Sequence, residues 1–187
     1  IHIHCTGDMG VELALDTLEK LQWERPRFNH GFTIEHFGMS TPEQCERIKA
    51  LGAQVSVNAY YVHELGDAYW RHSVGHERAS QMSRLGTLAR LGVRAALHSD
   101  YTMAPAEPLN SAWVAVKRLS TQGEVMAPEE RLTEHQARRA ITIDAAYMLG
   151  MENEVGSIRA GKKADFTVLG ADPYEVPPES LNEIPVL

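Results

Sequence analysis

Apolar and polar positions alternate along the first hundred residues in a way that predicts strands followed by helices. Ile1 to Cys5 alternates and is rich in β-branched residues, and the next apolar positions recur at helical spacing from Val11 to Leu21. Further strands are predicted at residues 32–35, 54–57 and 93–97, with helices at 43–51 and around 82–89. Strands joined in series by helices pair in parallel through right-handed crossovers, so the pattern predicts an α/β fold.

The pattern changes beyond Asp100. Helices are predicted over residues 109–119 and 133–149, and the second opens on Thr133-Glu134-His135-Gln136, which has the spacing of a capping box. A strand is predicted over 164–169, followed from residue 172 by an extended tail with four prolines. We place a boundary near Asn153, which gives two predicted domains, residues 1–153 and 154–187.

Composition narrows the class of protein. The 187 residues include 18 basic and 25 acidic side chains, a net charge of −7, and this acidic balance argues against a nucleic-acid or anionic membrane partner. No apolar run reaches the roughly 20 residues of a membrane span. Two cysteines make no disulfide framework, which predicts a reducing, cytoplasmic location. The chain starts at Ile1, inside an apolar alternation and without an initiator Met, so we expect it to be part of a longer protein.

Three residues with metal-ligand chemistry lie at predicted strand ends. His4 closes the first strand, His36 the second and Asp100 the fourth. In a βα barrel the carboxyl ends of the strands form the active face. Two imidazoles and a carboxylate suit Zn²⁺ or a similar divalent ion. The alternative is that each is a structural or loop residue, since a single histidine at a strand end is often only hydrogen bonded.

Other side chains are weaker candidates. His63, His98 and Arg78 are candidate substrate-binding residues; the alternatives are a loop histidine for His63 and a surface ion pair for Arg78. His2 shares the strand face of His4 and is expected to pack in the interior. Cys5 points to the opposite face and is expected to be a packing residue.

Four motifs occur together and in a fixed order along the chain. They are Ile1-His2-Ile3-His4-Cys5-Thr6-Gly7-Asp8, Thr33-Ile34-Glu35-His36, His98-Ser99-Asp100 and Gly156-Ser157-Ile158-Arg159-Ala160-Gly161-Lys162-Lys163-Ala164-Asp165-Phe166. The ordered set resembles the metal-dependent amidohydrolase superfamily. More narrowly, it is similar to the branch of predicted amidohydrolases that includes AepA-like exoenzyme regulatory proteins.

The resemblance implies the C-terminal half of a (β/α)8 TIM barrel, strands five to eight, plus part of a small β-sandwich domain. It implies one or two divalent ions, with zinc expected. His4 and His36 correspond to the ligands of the fifth and sixth strands. Asp100 corresponds to the eighth-strand carboxylate, which binds metal and shuttles the proton of the attacking water. The family's first-strand His-x-His and fourth-strand bridging ligand are absent from this chain, and Gly31-Phe32 stands where a basic residue is usual.

The implied function of the intact protein is hydrolysis of a non-peptide C–N bond, in an amide or cyclic amide, by metal-activated water. The fragment alone is expected to be inactive. The alternative is a non-catalytic binding or regulatory protein on the same scaffold. The expected partners are a small-molecule substrate and, for the exposed sheet edges, either a second copy in a homo-oligomer or the missing N-terminal half.

Overall fold

The centre of the molecule is a four-stranded parallel sheet, seen in a computed structural model that describes residues 1–187. The strands are β1 (His2–Cys5), β2 (Thr33–His36), β3 (Gln54–Asn58) and β4 (Ala95–His98). Their spatial order is β1-β2-β3-β4, and all three neighbouring pairs are parallel. The predicted α/β class is confirmed, because helices connect each strand to the next.

Eight short to medium helices surround the sheet. They are α1 (Asp8–Glu24), α2 (Pro42–Leu51), α3 (Gly66–His72), α4 (Gly75–Ser80), α5 (Leu85–Arg90), α6 (Pro108–Lys117), α7 (Glu134–Ala140) and α8 (Ile143–Met148). A π-helical turn, Tyr61–Leu65, precedes α3, and 3₁₀ turns lie at Pro128–Glu130 and Pro178–Glu183. None of the helices has the length and apolar character that a membrane crossing requires.

The start and end of α2 show how local sequence sets the elements. Thr41 accepts a hydrogen bond from the Gln44 backbone N–H while the Gln44 side chain accepts one from the Thr41 backbone, a complete capping box. Pro42 occupies the first turn, where its missing N–H costs nothing. Gly52 ends the helix with φ = 70°, a left-handed conformation that glycine adopts without a Cβ penalty.

The single helix predicted over residues 133–149 is wrong, because the structure divides it into α7 and α8. The break lies at Thr142, whose φ of −130° and ψ of −98° are not helical. Three consecutive β-branched residues, Ile141-Thr142-Ile143, weaken the helix here. The Thr142 hydroxyl also donates to the Arg138 carbonyl at 2.7 Å, a bond that competes with regular helix geometry.

The strand predicted over residues 164–169 is also wrong as a continuous element. The structure retains one antiparallel bridge, between Leu169 and Val186. Phe166 and Val168 are largely exposed, so the segment lacks the neighbouring strands that would bury it. The tail is extended only in part, since the Pro178–Glu183 turn buries Leu181 against α6. The domain division near Asn153 stays a prediction.

The two faces of the sheet differ sharply in polarity. Alternate residues of paired strands share a face, and one face carries buried apolar side chains such as Ile34, Val55 and Val57, which join the main hydrophobic core. By the same register the other face carries a polar set: His2, His4, Thr33, Glu35, Gln54, Ser56, Asn58 and His98. The main hydrophobic core therefore lies on the apolar side of the sheet, and the polar side chains collect on the opposite side, where Thr33, Gln54, Ser56 and Asn58 are buried.

Candidate metal centre

Imidazole and carboxylate groups meet at the carboxyl ends of the strands. The ring centroids of His4 and His36 lie 4.4 Å apart, and those of His36 and His98 lie 4.9 Å apart. Nδ1 of His36 lies 3.9 Å from Oδ2 of Asp100. The structure thus brings the three predicted metal ligands and His98 into one cluster, to which β1, β2 and the end of β4 contribute.

A turn in the backbone directs His36 into this cluster. In the strand register His36 is opposite Cys5 and Val57, on the apolar face. Its φ is 74° and that of Phe37 is 51°, both in the left-handed region that non-glycine residues seldom adopt. Because the chain turns there, the His36 ring lies beside His4 and His98, which belong to the polar face. Asp100 also has a left-handed φ, 52°.

Burial keeps two of the imidazoles neutral. Desolvation lowers the pKa of His36, partly offset by the negative charge of Asp100. Desolvation likewise lowers the pKa of His98, with Glu35 acting in the opposite direction. A neutral ring is the form that binds a metal ion. Nδ1 of His36 and Nε2 of His98 are both inaccessible to water and have no hydrogen-bond partner, a costly state for a buried nitrogen.

These donors fit a divalent metal ion in type, but they form only part of its coordination. Imidazole nitrogen and carboxylate oxygen are ligands that zinc accepts, and two nitrogens lack protein partners. No group of three His, Cys, Asp or Glu side chains is arranged to hold an ion without movement or further ligands. A metal at this position therefore needs a contribution beyond the residues of the cluster as they stand.

A second polar layer lies on the same face next to the cluster. The Glu35 carboxylate contacts Nδ1 of His2, and its other oxygen lies 3.8 Å from Nε2 of His98. Nε2 of His2 lies 3.2 Å from the Met148 carbonyl oxygen. The expectation that His2 packs in the interior is wrong, because the residue is exposed. Glu35 thus hydrogen bonds to His2 and places a negative charge near His98, whose ring is next to that of His36.

His63 and Arg78 have partners outside the cluster. Nδ1 of His63 lies 2.8 Å from the Leu119 carbonyl oxygen, and its ring meets Trp113 edge-on at 5.6 Å. Arg78 forms an ion pair with Asp8. The ion pair of Arg78 matches the alternative given for it, whereas His63 lies in the Tyr61–Leu65 π-helical turn rather than in a loop. Substrate binding by either residue stays a prediction.

Cys5 occupies the predicted opposite face. It is buried, its Sγ lies 3.5 Å from the Gly10 carbonyl oxygen, and burial raises the pKa of the thiol. A buried, protonated thiol of this kind behaves as a small apolar side chain, so the packing interpretation is confirmed.

Tyr61 is a site residue that the sequence interpretation missed. It is the first residue of the π-helical turn after β3, and its ring centroid lies 6.3 Å from that of His36. The available signal was the Tyr60-Tyr61 pair directly after a strand. The hydrophobic pattern does not tell which of two adjacent tyrosines is buried and which lines a cleft.

Fold and site together define an α/β protein that gathers imidazole and carboxylate groups at the carboxyl ends of a parallel sheet. The family model described as "Amidohydrolase family" matches residues 1–187, and the chain belongs to that family. The resemblance to amidohydrolases is thus confirmed, whereas the narrower AepA-like branch stays a prediction.

Individual relatives agree with this assignment. The N-substituted formamide deformylase of Arthrobacter pascens is 28% identical over 187 residues, covering 99% of this chain and 34% of the relative. A solved but uncharacterized metal-dependent hydrolase from Pyrococcus furiosus has a TM-score of 0.70 and 28% identity, covering 87% of this chain and 31% of that one. A zinc-bound adenosine deaminase from Xanthomonas campestris shares the fold, with a TM-score of 0.65, 18% identity, and coverage of 96% and 40%. The chain spans about a third of the length of the curated relative.

Proposed function

We propose that the complete protein hydrolyses the C–N bond of a small amide or cyclic amide with the aid of one or two divalent ions, zinc being the best candidate. The observation that carries the proposal is the convergence of His4, His36 and Asp100 at the carboxyl ends of the strands, with a buried His36 nitrogen that has no protein partner. Family membership supports it, and so do the metal-dependent hydrolase and zinc-bound deaminase among the relatives.

In this proposal the chain supplies strands five to eight of a (β/α)8 barrel, and residues 154–187 lead into a β-sandwich domain. His4, His36 and Asp100 would hold the ion, together with ligands from outside this chain. A bound divalent ion polarises a substrate carbonyl and lowers the pKa of water. The ring of His98 lies 4.9 Å from that of His36, and the Glu35 carboxylate of the adjoining polar layer lies 3.8 Å from Nε2 of His98.

Asp100 moves the proton in the proposed reaction. Its side chain is 45% exposed and lies beside His36, so it reaches both the cluster and incoming water. A carboxylate in this position accepts a proton from the attacking water as general base and returns it to the leaving nitrogen as general acid. The amine then departs neutral, and the carboxylate is ready for another cycle.

The test is Asp100→Asn in the complete, zinc-loaded protein, assayed with a panel of amides and esters. The substitution keeps the size of the side chain and removes its basicity, so turnover should fall by about 10²–10⁴. Asp172→Asn, at an exposed turn residue that binds only the Tyr174 N–H, is the matched control and should retain full activity. Activity of Asp100→Asn within a few-fold of wild type contradicts the proposed role.

The second candidate function is a binding or regulatory protein that uses the same scaffold without turnover. The observation that favours it is the lack of a ready three-ligand group among the described residues. A complete protein that binds zinc and amides but hydrolyses none of the panel supports this alternative over the enzyme.

A further inference from the structure

Tyr61 lies against the metal cluster but takes no part in the mechanism described so far. Its ring is tilted by 31° to the ring of His36, with 6.3 Å between the centroids. The side chain is half-buried, and one edge of its ring packs on the backbone at Gly38. Burial raises the pKa of its phenol, and the nearby charge of Asp100 adds to the effect. A phenol O–H is a hydrogen-bond donor, and the Asn58 side chain and the Asp100 carboxylate both act on this one.

The backbone at Gly38 leaves the space that the Tyr61 ring occupies. Gly38 follows the left-handed turn at His36 and Phe37, and a Cβ added to it would meet Cδ2 and Cε2 of Tyr61 at 3.0 and 3.1 Å. The absence of a side chain thus lets the tyrosine ring pack directly on the backbone. The π-helical turn places Tyr61 at its first position, and such turns occur frequently at functional sites.

The neighbouring Tyr60 has a structural role and serves as a comparison for Tyr61. Its side chain is fully buried, and its hydroxyl donates to the Glu107 carbonyl oxygen at 3.4 Å. Tyr60 thus uses its hydroxyl within the core. Tyr61 is only half-buried instead, its ring lies next to that of His36, and the charge of Asp100 acts on its phenol.

We propose that Tyr61 is a substrate-binding residue whose O–H donates a hydrogen bond to the carbonyl oxygen of the amide. The inference rests on the proposed hydrolase function and deepens it, because it assigns one side of the substrate cleft to the π-helical turn after β3. A donor at the carbonyl oxygen also stabilises the negative charge that develops there as the carbon is attacked.

The experiment compares Tyr61→Phe, Tyr60→Phe and wild type in the complete, cobalt-loaded protein. The visible absorption of cobalt reports binding of acetohydroxamate, a small carbonyl ligand, and hydrolysis of 4-nitroacetanilide reports turnover. Loss of one donor in Tyr61→Phe should weaken acetohydroxamate binding about tenfold and lower kcat/KM by about 10- to 100-fold. Tyr60→Phe should change both by less than about twofold, because it affects stability rather than the site.

The outcomes separate the two proposals. A wild-type protein that binds no cobalt, or binds it and hydrolyses no amide, overturns the proposed hydrolase function. A wild-type protein that binds cobalt and is active, with Tyr61→Phe within twofold of it in both measurements, overturns the inference alone. Equal losses in Tyr60→Phe and Tyr61→Phe also overturn it, since they would show general disturbance of the turn. Urea unfolding of each variant confirms that the native fold is compared.

Discussion

At the scale of single residues, the positive φ angles after β2 determine the geometry of the cluster. The sequence interpretation placed His36 at a strand end, which is correct, but strict alternation would put its ring on the apolar face with Ile34. The left-handed turn at His36 and Phe37 reverses this. No propensity rule predicts two consecutive non-glycine residues in that region. The sequence could therefore predict that His36 and His4 lie at the same end of the sheet, but not that their rings are in contact.

Two glycine substitutions should have opposite effects on stability. A Cβ at Gly38 would lie 2.7 Å from the Thr6 carbonyl oxygen, whereas one at Gly10, inside α1, meets nothing closer than 3.9 Å. Gly38→Ala should therefore lower the free energy of unfolding by about 1–3 kcal/mol, and Gly10→Ala should raise it by about 0.5–1 kcal/mol. Urea denaturation followed by tryptophan fluorescence measures both; equal stability of the two variants would contradict the packing described around Gly38.

At the scale of elements, capping signals in the sequence predicted where helices start. Contacts with residues far along the chain determine where α6 ends. The capping boxes at Thr41 and Thr133 are formed as their sequences indicate. The helix predicted over 109–119 instead ends at Lys117, with Arg118 at φ = 50°. Arg118 is only 1% exposed and donates to carbonyl oxygens of residues 80, 82, 83 and 126. Three of those partners are at least 35 residues away in sequence, so a local pattern contains no sign of them.

Arg118 should be important for stability. Desolvation lowers its pKa to about 10, so the group stays charged at neutral pH. Its removal takes a charged donor away from four buried carbonyl oxygens, of which only that of Ser83 is known to keep another donor, the Leu85 N–H. Arg118→Ala should destabilise the fold by about 3–5 kcal/mol. Arg131→Ala, at an exposed arginine that donates to the Lys117 carbonyl oxygen, should change stability by no more than about 0.5 kcal/mol. Chemical denaturation of both variants gives the comparison, and a loss below 1 kcal/mol in Arg118→Ala would refute this role.

At the scale of the whole molecule, the sequence predicted the order of strands and helices. It did not determine which chain or segment pairs with the two edges of the sheet. The repeated alternation of strand and helix patterns was sufficient to predict the four parallel strands. The outer edges of β1 and β4 pair with no strand. Beside the β1 edge, α1 exposes Met9 and Leu13, which are 80% and 69% accessible. A free strand edge next to apolar side chains favours association with another chain or segment.

The 187-residue chain prepared alone should therefore self-associate. Light scattering at micromolar concentration should give a mass of at least twice 20.8 kDa. Leu13→Glu, on the exposed side of α1, should shift the population toward monomer, while Leu149→Glu, at an exposed leucine just after α8, should not. A monodisperse wild-type monomer that unfolds cooperatively would show that the free edges need no partner.

The central claim is that the carboxyl ends of these strands form a metal centre, and metal stoichiometry tests it most directly. Zinc content of the complete protein should be measured for wild type, His36→Ala and His135→Ala after identical loading and dialysis. His135 is an exposed histidine whose Nδ1 lies 3.1 Å from the Tyr174 hydroxyl, outside the cluster. We predict that His36→Ala loses bound zinc while His135→Ala keeps the wild-type content. Wild-type zinc content in His36→Ala would contradict the account.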